Sequence, residues 1–416
     1  MNNNTAPSRI QTLSPAWGAM AMTVSGLAMV SLLGPLPGSD IDAGAGLVFL
    51  ALSWVVVITL TALYLTKMIR YRENFLADLF NPGQGAQTAA WPASLLISAL
   101  ATSQAGFAGY IPGTIALFVG ITVGGLGLLG TALSGFAFFS HVIGRPDIPA
   151  QTITAGWFVP VVPLVLVPSI TLRLTSIAGG EPASWAVWLA VSAWGIGFGL
   201  FLLLAAIIGG RLLMLEPPAA HALPSWWAWL APLGAGGLGI VTSTRMLGDE
   251  VLITVAYWLA AAIWGFAAWW AVFALIVIWG KRHEARFHLG YWGFGFPTAA
   301  FASLSLEVGR HHEFAGLGVV AIVFWVALLA IVTVLASKTI GQWRAGTLFP
   351  RRSTSPGPGR TRSHNTVIPP ALYRRECEHQ GGQSWSDSLA GLVLGGHSLF
   401  ALAPSLHSGT NVPREA

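Results

Sequence analysis

The stretch YWGFGFPTAAFASLSLEVGRHHEFAGLGVVAIVFWVALLAIVTVLA, residues 291–336, contains two apolar runs on either side of a short charged segment. The first run, 291–307, is interrupted by glycines and by Pro297, whereas the second, 314–336, is apolar almost without a break. Each run has the roughly 17–25 residues that an α-helix needs to cross a ~30 Å hydrocarbon core. We therefore predict two membrane-spanning helices joined by a tight connection, one irregular and one regular.

Similar runs recur along the whole chain. Of its 416 residues, 54% are hydrophobic and 9% are charged, whereas soluble proteins carry about 25% charged residues. We predict ten spans, at residues 16–33, 44–66, 91–106, 112–138, 152–169, 185–208, 228–244, 251–279, 291–307 and 314–336. The first span lacks a cleavage site at a signal-like position, so we expect it to be retained. The predicted fold class is an all-α, polytopic membrane protein.

The basic residues predict the orientation of the chain. If the N-terminus is cytoplasmic, three arginines fall in outer loops, namely Arg173, Arg245 and Arg310. The inner segments then hold Arg9, Lys67, Arg70, Arg72, Arg145, Arg211, Lys281, Arg282, Arg286, Lys338, Arg344, Arg351 and Arg352. Cytoplasmic segments of membrane proteins carry such an excess of Lys and Arg. We expect both termini in the cytoplasm and the chain in the inner or plasma membrane.

Two kinds of span alternate along the chain. The odd-numbered spans contain or begin near prolines, and the predicted kink and cavity-lining positions are Pro15, Pro92, Pro160, Pro163, Pro232 and Pro297. Proline removes a backbone donor and frees a carbonyl group that hydrocarbon cannot satisfy. The even-numbered spans are richer in Trp, Leu, Ile and Ala. We predict five helical hairpins, with the odd helices inside and the even helices facing lipid.

Polar segments flank this membrane domain. We expect residues 1–15 to be a cytoplasmic segment, 16–340 the ten-helix domain, and 341–416 a disordered cytoplasmic tail rich in Pro, Ser, Gly and Arg. Within the tail, 386–406 is too short and glycine-rich to favour an eleventh span. Cys377 is the only cysteine, which excludes a disulfide within one chain. The net charge of +5 lies outside the spans, so it indicates topology and no nucleic-acid partner.

The sequence contains no catalytic constellation. Two G-x-G-x-x-G strings, beginning at Gly125 and Gly234, lie inside predicted spans, where they favour close helix packing over dinucleotide binding. The histidines lack the spacing of a metal site, and HExxH, GxSxG and P-loop motifs are absent. We therefore expect no enzymatic activity, no cofactor and no bound metal. Glu307 is the one carboxylate within a span, and an interfacial ion pair with Arg310 is the favoured interpretation.

The residues around Pro297 are the most distinctive local feature. Phe296 precedes this proline, and Thr298, Ser303 and Ser305 follow it. An aromatic ring at a helix break is able to project into a cavity and block it, with hydroxyl groups further along contacting a hydrated ion. The alternative is an ordinary packed aromatic beside a kink. The residues alone leave both interpretations open.

Three stretches carry a resemblance to a known family. They are PAWGAMAMTVSG (15–26), ITAGWFVPVVPLVLV (153–167) and FHLGYWGFGFPTAAFASLSLEVGR (287–310). With the ten-span count, they resemble the TehA-type tellurite-resistance/dicarboxylate transporter family, which includes plant slow anion channels, sulfite exporters and malate permeases. The resemblance implies five hairpins around a central pore, commonly in homotrimers in the lipid bilayer. It also implies that Phe296 occludes the pore and that the substrates are small anions such as chloride, nitrate, sulfite or dicarboxylates.

The sequence departs from the family pattern in two places. Gly18 follows Trp17 where a phenylalanine is common, and Gly295 stands where a hydroxyl residue is common. We expect both changes to shrink side chains near the pore. The leading hypothesis is a phenylalanine-gated anion channel. A secondary-active sulfite or dicarboxylate exporter working by alternating access is the second hypothesis, and a membrane enzyme or assembly subunit is the third.

Overall fold

The computed structural model describes residues 8–145, 148–214, 222–284 and 286–347. Within these ranges the chain forms ten α-helices of 16 or more residues. They are α1 (Trp17–Leu32), α2 (Ile41–Arg70), α3 (Ala90–Phe107), α4 (Gly113–Val142), α5 (Val162–Ala178), α6 (Ser184–Met214), α7 (Leu230–Leu247), α8 (Glu250–Gly280), α9 (Gly295–His311) and α10 (Ala315–Arg344). Two shorter helices, Arg72–Leu79 and Leu223–Trp227, lie between them. The protein is an all-α, polytopic membrane protein, as the sequence predicts.

Helix length alternates along the chain. The odd helices have 16–18 residues and the even helices 30 or 31, so at 1.5 Å per residue the two sets are about 25 Å and about 45 Å long. Six helical segments are long and apolar enough to cross a membrane: the five even helices and Ala155–Ala178, which includes α5. The predicted count of ten spans stays a prediction.

The five odd helices form a closed ring. Helix α1 packs on α3, α3 on α5, α5 on α7, α7 on α9, and α9 on α1. Each even helix packs against the odd helix that precedes it, which gives five hairpins in chain order. The structure therefore has the predicted hairpin pairing, with the odd helices on the inside.

Burial follows this arrangement. Fourteen of the 17 residues of α9 are buried, but only seven of the 30 residues of α10. The buried residues of α10 recur every three or four positions and form one stripe: Leu317, Ala321, Trp325, Leu328, Val332, Leu335 and Thr339. The opposite side of α10 exposes Val319, Val323 and Val334. Such an apolar outer face is suited to hydrocarbon, because lipid tails replace protein contacts there.

Tryptophan side chains of the even helices donate hydrogen bonds to the ring. The bonds run from Trp54 to Thr102, from Trp194 to the Gly236 carbonyl, from Trp264 to Ser305 and from Trp325 to Ser31, with N···O distances of 2.8–3.0 Å. Burial in lipid gives little hydrophobic drive for helix association, so directed polar contacts help to fix how helices pack. The tryptophan content of the even spans thus has a structural role.

The prolines predicted as kinks lie at or just before helix starts, whereas Pro168, which is not among them, lies inside α5. Pro92, Pro232 and Pro297 are each the third residue of a helix, and Pro163 is the second residue of α5. The first N–H groups of a helix have no partner within it, so proline is tolerated there. Kinks are therefore not required to explain most of these prolines.

Two predicted boundaries differ from the structure. Span 5 is predicted at 152–169, but α5 begins ten residues later and runs to Ala178, because Ala155–Phe158 forms a 3₁₀ turn ahead of it. Helix α10 continues to Arg344, past the predicted domain boundary at residue 340. Apart from residues 341–347, the predicted tail and its Cys377 lie outside the described residues, as do residues 1–7.

Candidate functional site

A large cavity lies at the end of the ring where the odd helices begin. Its volume is about 1220 Å³. Every odd helix contributes residues from its first turns or from the segment that leads into it: Pro15 and Ala19, Gln87 and Ala90, Val159 and Val162, Ala228 and Ala231, and Gly293 and Phe296. The five helix N-termini therefore converge on one space.

This convergence makes the large cavity attractive to anions. A helix N-terminus carries about half a positive elementary charge, and its first N–H groups lack partners within the helix. Arg211 adds a full charge at the wall; it is 7% exposed, its Nε donates to the Ala150 carbonyl at 2.8 Å, and its Nη1 is buried without a partner among the described residues. The described lining contains neither Asp nor Glu.

A small cavity of about 210 Å³ lies toward the other end of the ring. All five odd helices also line it, mostly through their middle and final turns. One lining residue from each helix, in chain order, is Met29, Gln104, Arg173, Thr242 and Ser303. The C-terminal end of a helix carries a partial negative charge. Side chains must therefore supply any positive potential at this end.

Three arginines and one glutamate line the small cavity. Arg245 forms an ion pair with Glu307 at 3.2 Å, and the Tyr257 hydroxyl donates to the same carboxylate oxygen at 2.8 Å. Arg310 donates to the Gly34 carbonyl at 2.6 Å and is exposed. The partner predicted for Glu307 was Arg310, and this is wrong, because Arg245 of α7 occupies that position.

Phe296 is shared by the linings of the two cavities. Its side chain lines both of them and is 7% exposed. Gly26 of α1 faces it closely: a methyl group built on Gly26 would lie 3.4 Å from the ring Cδ2 atom and 2.9 Å from the Ala299 Cβ atom. A methyl group on Gly26 would thus clash with Ala299 and only touch the Phe296 ring, so the missing side chain allows α1 to lie close to α9.

The remaining predicted site residues lie in different places. Pro15 and Pro297 line the large cavity. Pro92, Pro160, Pro163, Pro232 and Thr298 are absent from the described linings of both cavities. Pro92 packs under Gly130 of α4, and Thr298 is buried with its hydroxyl donating to the Phe294 carbonyl and accepting from the Trp227 indole. That hydroxyl is fully used in holding helices together.

The two departures from the family pattern are also explained by packing. A methyl group on Gly295 would lie 2.0 Å from Thr23 Cγ2, and the Thr23 hydroxyl donates to the Trp292 carbonyl at 2.7 Å. A methyl group on Gly18 would lie 2.7 Å from the Ala90 Cβ atom. Both glycines serve helix contacts and lie outside the described cavity linings, and the expectation that they shrink side chains near the pore stays a prediction.

Sequence reasoning missed the arginines as site residues. It placed Arg173, Arg245 and Arg310 in outer loops, but they lie on α5, α7 and α9. Ser169 and Arg173 are four residues apart, about one helical turn, and this spacing is compatible with a helix that continues past Arg173.

Comparison with known proteins gives a consistent picture. The family described as voltage-dependent anion channel matches residues 12–340. An uncharacterized transporter of Methanocaldococcus jannaschii is 25% identical over 82% of this chain and 96% of its own length. The sulfite efflux pump SSU1 of Trichophyton rubrum is 26% identical over 45% of this chain and 55% of its own length. The malic acid transport protein of Schizosaccharomyces pombe is 22% identical over 46% and 49%.

Proposed function

Because the chain belongs to the voltage-dependent anion channel family and is an anion transporter, we propose that its anions pass from one cavity to the other by displacing the Phe296 ring. The observation that carries this proposal is that Phe296 lines both cavities and is buried between them. Turning an aromatic ring about 30° away from a rotamer minimum costs on the order of 0.5–1.5 kcal/mol. Such a barrier is small enough for modest regulation.

The charges along the proposed route favour anions at both ends. Helix N-termini and Arg211 act in the large cavity, while Arg173 and Arg245 act in the small one. Positive potential in a narrow, low-dielectric passage concentrates anions locally. The sulfite and malate transport named for two relatives extends to this chain as a proposal for its substrate class, small oxyanions and carboxylates.

The finer features of the transporter are also proposals. We propose a cytoplasmic large cavity and an external small cavity in the inner or plasma membrane, supported by the excess of basic residues at the large-cavity end. A homotrimer is proposed from the family resemblance, and native mass spectrometry in nanodiscs tests it. The proposal includes no enzymatic step.

The decisive experiment is flux through proteoliposomes under an imposed potential, comparing wild type with Phe296→Ala and with the intermediate variant Phe296→Leu. Chloride, nitrate, sulfite and malate are scanned as sole permeant anions. We expect Phe296→Ala to raise flux by about tenfold or more, because it opens the wall between the cavities, with Phe296→Leu between the two. An unchanged flux in monodisperse Phe296→Ala protein would contradict the gate.

The alternating-access exporter stays the second candidate, supported by the sulfite efflux pump among the relatives. The kinetics separate the two mechanisms. A channel gives a reversal potential that follows the anion gradient, whereas an exporter gives saturable transport that substrate on the opposite side accelerates. Exchange of labelled sulfite without current in either variant would favour the exporter.

A further inference from the structure

Arg173 differs from Arg245, the other arginine inside the small cavity, in its partners. Its Nε donates to Gln104 Oε1 at 2.5 Å and its Nη1 to the Ser169 carbonyl at 2.8 Å, and both acceptors are neutral. Arg245 is paired with the Glu307 carboxylate. Within the described ranges the salt bridges are this pair and Lys67 with Asp78. Arg173 therefore holds a positive charge in the cavity without a salt bridge to a described carboxylate, although the charge of Glu307 also acts on it.

The position of Arg173 makes this charge effective. The residue is half-buried on α5 and lines the same cavity as Phe296, whereas Arg310 is exposed at the rim. Solvent screens an exposed cation strongly, but it screens one inside a cavity much less. An anion that has passed Phe296, or is about to pass it, lies within the field of Arg173.

Resting on the proposed route, we propose that Arg173 is the anion-binding site of the small cavity and that it selects singly charged oxyanions over dianions. The planar guanidinium group matches the geometry of a planar oxyanion such as nitrate, formate or hydrogencarbonate. The hydrogen bonds to Gln104 and Ser169 hold the guanidinium group in place in the cavity wall. The Ser169 and Thr242 hydroxyl groups, 3.5 Å apart, and Ser303 add polar atoms to the same lining.

The preference for one charge follows from the count of charges. Inside the rim Arg173 and Arg245 are positive and Glu307 is negative, so one net positive charge is left. A monoanion balances it, whereas a dianion brings a second negative charge into a poorly solvated space, which is unfavourable. The volume of about 210 Å³ equals that of about seven water molecules, so it holds one small anion with an incomplete hydration shell. Neutralising Glu307 should therefore shift the preference toward dianions.

The test measures anion binding through the unfolding temperature of detergent-solubilised protein, which rises as a bound ligand is added. Sodium nitrate and sodium malate are titrated separately at about pH 8, where malate is a dianion. The variants are Arg173→Gln, Arg173→Lys and Glu307→Gln. Arg282→Gln removes an exposed charge that stacks on Trp279 outside both cavities, and it controls for net charge. Phe296→Ala flux is measured in parallel.

We expect Arg173→Gln to raise the half-saturating nitrate concentration by about tenfold, Arg173→Lys to restore part of the affinity, and Arg282→Gln to match wild type. In Glu307→Gln the ratio of malate to nitrate affinity should rise about fivefold, because Arg245 then contributes its charge. This variant keeps the inference testable even if Arg173→Gln does not fold.

Two results would overturn the inference. One is wild-type nitrate affinity in folded Arg173→Gln, and the other is an unchanged malate-to-nitrate ratio in Glu307→Gln. The proposed gate is judged separately, by flux. If Phe296→Ala raises flux while Arg173→Gln binds nitrate normally, the gate is supported and the Arg173 site is contradicted. If nitrate affinity depends on Arg173 while Phe296→Ala leaves flux unchanged, the Arg173 site is supported and the gate is contradicted.

Discussion

The two cavities reach the same preference for anions by different physical means. The large cavity gathers five helix N-termini and one buried arginine, Arg211, so much of its positive potential comes from the backbone. The small cavity faces the later turns of the same helices, and its positive potential comes from side chains, chiefly Arg173 and Arg245. Because all five odd helices begin at the same end of the ring, their N-termini meet at the large cavity and their later turns meet at the small cavity. Side-chain substitutions should therefore alter the small cavity more than the large one.

The largest effect is expected where the two cavities meet. Gly295→Ser should lower the free energy of unfolding by about 1–3 kcal/mol, because a side chain there overlaps Thr23 of α1. Thermal unfolding in one detergent measures the loss. Adding Thr23→Ala to Gly295→Ser should recover only part of it, because the Thr23 Cβ atom stays 2.7 Å from the added side chain, whereas Gly125→Ser, at a helix position with nothing within 4 Å, should be close to neutral. Equal losses at residues 125 and 295 would contradict a close contact between α1 and α9.

The next prediction rests on the difference in volume between the large and the small cavity. Ser303 lines the small cavity and Ser225 the large one. In a Phe296→Ala background, Ser303→Leu should reduce anion flux by about tenfold, equivalent to about 1.4 kcal/mol, while Ser225→Leu should change it less than about twofold. The reason is that the added side chain fills much of the smaller space and little of the larger. Equal inhibition by both substitutions would place the narrow part of the route elsewhere.

The smallest effect is expected in the large cavity. Arg211→Gln should reduce flux started from that side by about twofold, because the five helix N-termini retain most of the positive potential. Flux at low nitrate concentration in oriented proteoliposomes measures it, with Arg211→Lys as the variant that keeps the charge. The unfolding temperature is checked as well, since Arg211 also bonds the Ala150 carbonyl. A tenfold loss would mean that the side chain, and not the helix ends, attracts anions there.

Much of this fold is predictable from apolar runs alone. The first span, predicted at 16–33, is helix Trp17–Leu32, and the eighth, predicted at 251–279, is Glu250–Gly280. The alternation of irregular and regular spans also predicts which helices are inside. Span 5 is placed too early because its apolar start, 152–161, is counted as helix by hydropathy although 3₁₀ turns and Pro160 occupy it.

The site was harder to predict because it depends on contacts between distant parts of the chain. Phe296 could be singled out beside Pro297, but its contact with Gly26, 270 residues earlier, depends on how α1 packs against α9. The hydroxyl groups near it were expected to meet ions, yet Thr298 and Ser305 bond tryptophans of neighbouring segments. The predicted spans end at charged residues, because a span is recognised as an uninterrupted apolar run. Arginines that lie on helices inside a protein-lined cavity are therefore assigned to loops.

The barrier proposed at Phe296 has an electrical consequence. Water-filled cavities conduct far better than packed protein, so the membrane voltage falls mainly across the short insulating layer that separates them. An anion crossing that layer passes through nearly the whole voltage over a few ångströms, a change of about 2.3 kcal/mol per 100 mV for one charge. The position of a single aromatic ring therefore sets where in the molecule the electric field does its work on the ion.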